Sequence, residues 1–233
     1  MTRNKKILGL ALSVAALFTG AQASAALLTV GAGTPFNTPA SNNTLGAGAP
    51  LIDGASLVTT QASVILEFRY LGSESGFANK LVVTGLSAHG ALAGNFTHTE
   101  AANNNTNPNA KFPGIFVGGG LQTTAGGVAM SFDTQTSAGI INLGPVVSGK
   151  SIALAYLDVA CTANPAKFIK DCISATATNA VLFALDDSGA GPDDNHDDYV
   201  GYLVATPVPV PAAFWLLGSA LLGLAGIGRR RAA

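Results

Sequence analysis

The chain has 233 residues, of which 48% are hydrophobic and only 11% charged, with 12 Lys and Arg against 13 Asp and Glu. Half of the basic residues sit at the two ends, so residues 26–206 hold six bases against all 13 acids, a net charge of −7. Such an acidic middle excludes nucleic acid as a partner, because phosphate backbones are held by cationic surface. Two cysteines are too few for a closed structural zinc site.

Arg3, Lys5 and Lys6 form a positive start, followed by the apolar run Ile7 to Phe18. That run is too short for a usual spanning helix and ends near Ala23-Ser24-Ala25, a small-residue cleavage site. Residues 1–25 therefore read as a secretory signal peptide cut before Ala26, with Ala21-Gln22-Ala23 as a second candidate site. Signal peptidase is the implied partner at this end.

Residues 31–50 are rich in Gly, Thr, Asn, Pro and Ala and read as a loose leader or long loop. Beyond them, short β-type runs recur between Gly, Asn and Pro clusters, and no long helical periodicity appears. This pattern predicts an all-β exported domain over 26–206, a single β-sandwich or jelly-roll-like ectodomain. The best strand is Val64 to Tyr70, with Leu66, Phe68 and Tyr70 on one face and Glu67 and Arg69 on the other. Further strands are expected at Lys80–Leu86, Gly114–Val117, Val128–Phe132, Ile140–Leu143, Ser151–Val159, Ala180–Asp186 and Tyr199–Thr206. Gly118-Gly119-Gly120 and Gly126-Gly127 read as bulges or turns, and Asn103 to Asn109 as an exposed polar loop. In an exported chain, Cys161 and Cys172 are expected to form a disulfide around the short loop Thr162–Asp171.

The densest chemistry lies between the last two predicted strands. Six of the 13 acids fall within Asp186 to Asp198. Asp193, Asn195 and Asp197 have the D-x-N-x-D spacing of a calcium loop's first three ligands, although Asp198 stands where an EF-hand needs Gly. Asp186, Asp187, Asp193, Asn195, Asp197 and Asp198 are thus candidate calcium ligands, with calcium as the candidate cofactor. A solvated acidic turn is the alternative reading of the same residues. No G-x-S-x-G or H-E-x-x-H motif is present. The three histidines, His89, His98 and His196, are expected on the solvated surface, and no catalytic residue is assigned.

The chain ends in three parts: Val208-Pro209-Val210-Pro211, an uncharged run over residues 212–228, and Arg229-Arg230-Arg231. A helix over 212–228 would rise roughly 25 Å, near the lower limit for spanning a bilayer core. The arginines resist crossing that core and are expected to stay cytoplasmic.

This tail, residues 207–233, resembles the PEP-CTERM sorting signal in its VPxP-A variant form, with Val210 where the family usually has Glu or Leu. The segment from Asp186 to the final strand, and Leu66 to Leu81 (LEFRYLGSESGFANKL), are similar to stretches that recur in PEP-CTERM ectodomains. The resemblance implies an exported, non-enzymatic protein of a Gram-negative bacterium. It would be anchored in the inner membrane and then sorted by an exosortase-like enzyme to the cell surface or the extracellular matrix, in association with exopolysaccharide or biofilm. The alternative function is a secreted carbohydrate-binding module or hydrolase on a β-sandwich. A sugar platform wants exposed Trp or Tyr, and Tyr70, Tyr156, Tyr199 and Tyr202 fall mostly in core-like strands.

Overall fold

The computed structural model describes residues 26–40, 42, 44–100, 112–134, 139–147, 149–162, 169–187, 195–209 and 218–222. Strand dominates them. The strands are β1 (Leu28–Val30), β2 (Thr34–Asn37), β3 (Pro50–Asp53), β4 (Leu57–Thr59), β5 (Val64–Gly72), β6 (Lys80–Thr84), β7 (Phe96–Thr99) and β8 (Ile115–Gln122). They continue as β9 (Gly126–Gly127), β10 (Ala129–Asp133), β11 (Ile140–Asn142), β12 (Ser151–Leu157), β13 (Ile173–Ser174), β14 (Ala180–Asp186) and β15 (Tyr199–Pro207). Among the described residues, helix is limited to α1 (Val159–Thr162), a 3-10 turn at Ile169–Cys172 and a short stretch at 218–222.

Every strand pairing is antiparallel. The largest sheet has eight strands, in the order β2-β3-β12-β14-β15-β5-β8 with β13 attached to β12. A four-stranded sheet runs β11-β10-β6-β7, and a three-stranded one β1-β4-β9.

The large sheet is covered on both faces, and the period-two alternation of its strands assigns each side chain to one of them. One face carries Phe68, Val181, Phe183, Leu185, Tyr199 and Leu203, sharing a core with Leu81, Val83, Met130 and Phe132 of β6 and β10. The other carries Ala153, Ala155, Leu182, Ala184, Val200 and Tyr202, beneath Leu45, Phe112, Ile169 and Cys172. β14 lies between β12 and β15 and is buried at all seven positions, which is why its sequence, AVLFALD, is apolar without alternation until the final Asp186.

Several local expectations are corrected. Residues 31–50 are not a loose leader. They form β2, pair with β3, and fold back so that Asn42, Thr44, Leu45 and Ala49 are buried. The turn is held by its own polar side chains: Asn42 Oδ1 accepts from Leu45 N at 2.6 Å, and Thr38 Oγ1 donates to Gly46 O at 2.6 Å. Gly118-Gly119-Gly120 is part of β8 rather than a turn, with an irregularity in register one residue earlier, opposite Phe68 and Arg69. A Cβ on Gly119 would run into the Leu66 carbonyl, so the sheet's close approach demands glycine there. Gly126–Gly127 is the short strand β9, paired with β4.

Residues 1–25, where a signal peptide is expected, lie outside the described residues, as do residues 210–217, 223–233 and Asn103 to Asn109. Among the described residues no helix is long and apolar enough to cross a membrane. Cys161 and Cys172 are joined by a disulfide with their Cα atoms 5.7 Å apart, which ties α1 to the 3-10 turn.

Candidate functional site

The described residues of the acidic segment do not project into solvent. Asp186, Asp187, Asn195, His196, Asp197 and Asp198 are all buried, the most exposed being Asp198 at 6%. The solvated-turn reading therefore fails for these six, and His196 is an interior residue rather than a surface one. Asp193 lies outside the described residues. The burial follows from the sheet. β14 carries Asp186 and Asp187 to the end of a central strand, and Asn195 to Asp198 lead directly into β15 beside it.

Asp187, Asp197 and Asp198 pack against the connection between β5 and β6. Glu74 N donates to Asp197 O at 2.8 Å, stitching the two backbones together. Asp187 Oδ2 accepts from Asn79 Nδ2 at 2.7 Å and from Ser75 Oγ at 3.2 Å. Asp187 N donates to Asp198 Oδ2 at 2.7 Å, so the two carboxylates are held next to each other. Asn79 Nδ2 also lies 3.0 Å from Ser75 Oγ and 3.4 Å from Asp198 O. Burial, followed by the carboxylate of Asp187, pushes Asp198 up to about 8, and Asp186 and Asp197 add to the effect.

Asn79 links this cluster to a second buried acid. Its N–H donates to Glu100 Oε1 at 3.4 Å, while Tyr70 Oη donates to Glu100 Oε2 at 3.1 Å. Desolvation raises Glu100 to about 8 despite those donors. Nearby, His98 Nδ1 and Tyr199 Oη are 2.7 Å apart, and burial lowers the pKa of His98.

His196 occupies a separate corner with φ at 57° and its ring 4.6 Å from that of Phe36. Its Nε2 lies 3.1 Å from Ser151 Oγ and 3.3 Å from Asp53 Oδ1. Burial alone would raise Asp53, but hydrogen bonds from His196 and Ser151 and the attraction of His196 outweigh it and hold the carboxyl below its ordinary value. A serine, a histidine and an aspartate thus meet, yet both partners face the same imidazole nitrogen. A nucleophilic relay needs them on opposite nitrogens. Ser151 is also 1% exposed, out of reach of a substrate. A depression of about 300 Å³ over Val82–Thr84 and Asn95–Thr97 carries no titratable side chain.

Sequence reasoning missed Ser75, Asn79 and Glu100. The available signal was a run of small and polar residues, Ser73 to Ser75 and then Asn79, set between two apolar strands. Among the described residues, no three His, Cys, Asp or Glu side chains already converge as a metal-holding group. No family model matches the chain, and neither a curated protein nor a solved structure matches it.

Proposed function

We propose that the chain is an exported, non-enzymatic surface or matrix protein whose ectodomain is a single β-sandwich, sorted at the inner membrane of a Gram-negative bacterium by an exosortase-like enzyme. The observation that carries this reading is the three-part tail: Val208-Pro209-Val210-Pro211, the uncharged run and Arg229–Arg231 follow directly on the last strand, β15. The signal-peptide pattern at the other end and the Cys161–Cys172 disulfide suit the same compartment. The sandwich reading is supported by the core shared between the four-stranded and eight-stranded sheets. Exopolysaccharide is the proposed matrix partner. The carbohydrate-binding or hydrolase reading draws no support from the surface: none of the four tyrosines is exposed, and the exposed described aromatics are Phe77 and Phe116.

The test is intact-mass analysis of the protein from its native host, beside a variant with Arg229, Arg230 and Arg231 changed to Ala. The mature protein should begin at Ala26 and have lost residues beyond the Val208–Pro211 motif, whereas the variant should keep its tail. A mature form retaining Met1, or one with an intact C-terminus in the surface fraction, would refute the sorting reading.

A further inference from the structure

We propose that the adjacent carboxylates of Asp187 and Asp198, completed by the side-chain oxygen of Asn79, form the core of a calcium site between the β5–β6 and β14–β15 connections. This site is not the D-x-N-x-D loop suggested by spacing. It is an interior junction of two connections more than a hundred residues apart in the chain. It depends on the sheet alone, so its failure would leave the sorting reading untouched.

Two independent observations converge. The first is uncompensated charge. Asp187 is 1% and Asp198 6% exposed, and neither has a basic partner among the described residues. Each uses only Oδ2 as a hydrogen-bond acceptor toward other described residues, which leaves both Oδ1 atoms available. Two neighbouring carboxylates away from water must either take up a proton or hold a cation. Asp186 and Asp197 add further negative field at Asp198.

The second observation is a neutral acceptor with nothing to accept from. Asn79 is 0% exposed, and its Oδ1 has no hydrogen-bond partner. Flipping the amide would set that oxygen against Asp187 Oδ2 and Asp198 O, both pure acceptors, and could gain a donor only by drawing the Ser75 hydroxyl away from Asp187. Native interiors rarely leave such an oxygen unsatisfied. A cation beside the same amide head would satisfy the oxygen and neutralise the carboxylates together.

The donor chemistry selects the ion. Every proposed ligand is a hard oxygen, and neither thiolate nor imidazole belongs to the set, which disfavours zinc and copper. Calcium accepts carboxylate and amide oxygens in irregular arrangements, whereas magnesium demands near-octahedral geometry and holds its waters.

The test uses the full-length chain in mild detergent, stripped with EDTA and desalted, then titrated calorimetrically and melted with calcium chloride or magnesium chloride. One calcium per chain should bind with a dissociation constant of roughly 0.1–1 mM, as in other extracellular modules, and raise the melting temperature, with magnesium much weaker. Asp198→Asn keeps the size of the side chain and an acceptor for Asp187 N. It should fold cooperatively and lose calcium affinity at least about tenfold, one ligand's worth of charge. Asp187→Asn should do the same, so a folding defect in one variant does not shield the idea. Asp133→Asn, at the half-buried ion pair with Lys80, should respond to calcium as wild type does. The site is refuted by absence of heat and melting shift at about 5 mM calcium, by wild-type affinity in the Asp198→Asn and Asp187→Asn chains, or by equal responses to magnesium and calcium.

Discussion

Removing metal should invert the usual pH dependence of stability. Asp198 and Glu100 both have carboxyls raised to about 8 in the folded protein, by burial first and, for Asp198, by Asp187 next. In the unfolded chain they return to ordinary values near 4. Between those limits the folded state binds more protons than the unfolded one. Stability from these groups is therefore fully present below pH 4 and lost as pH rises toward 8. One pKa unit corresponds to 1.36 kcal/mol, so a single unit realised by each carboxyl removes about 3 kcal/mol, or roughly 6–12 °C in melting temperature for a domain of this size. Asp53 acts in the opposite sense, since its carboxyl is held low, but its contribution is complete by about pH 5 and leaves the window above untouched. The assay is a series of melts of the EDTA-treated chain from pH 5 to pH 8. The melting temperature should fall across the series, and Asp198→Asn with Glu100→Gln should flatten it. A melting temperature that stays level or climbs from pH 5 to pH 8 would refute the buried-acid account.

Gly201→Ala places a Cβ 2.5 Å from Phe183 Cζ and 2.7 Å from the Arg69 carbonyl oxygen; a loss of about 1–3 kcal/mol is expected in denaturant melts. Phe183→Ala removes a fully buried ring packed near Phe68, Phe132 and Tyr199, and should cost about 3–5 kcal/mol by the same measurement. Changing both Cys161 and Cys172 to Ser opens an 11-residue separation and should lower stability by roughly 2–3 kcal/mol, the same loss that reduction of the native protein should give.

Strands were legible wherever burial imposed a period on the sequence. β14 runs over Ala180–Asp186, the bounds its apolar run suggests, and in β5 Leu66 and Phe68 are fully buried while Glu67 and Arg69 are only partly so. Where local polar bonds replace apolar contacts, composition misleads. Thr38 and Asn42 sit in a Gly- and Asn-rich stretch typical of solvated loops, yet both are buried because they bond their own turn. β7 escapes notice because Phe96-Thr97-His98-Thr99 is a short strand exposed or half-exposed throughout. The acidic segment shows both sides of the problem. Its residue types pointed to a cation, but the hydrogen-bond partners of Asp187, Ser75 and Asn79, lie 112 and 108 residues away from it. No window along the chain contains that information.

The place where the described domain hands over to the tail has a mechanical consequence. β15 is not an edge strand. It lies between β14, paired over Tyr199–Val204, and β5, paired over Val200–Pro207. Any tension that reaches the domain through the chain beyond Pro207 is therefore delivered into the middle of the largest sheet. A pull along the strand loads two ladders together in shear, instead of peeling a border strand open one bond at a time. The same placement orders assembly. Because β5 and β14 meet only through β15, the large sheet stays in two halves until residues 199–207 emerge. The last of the described strands in the chain is the one that closes the sheet.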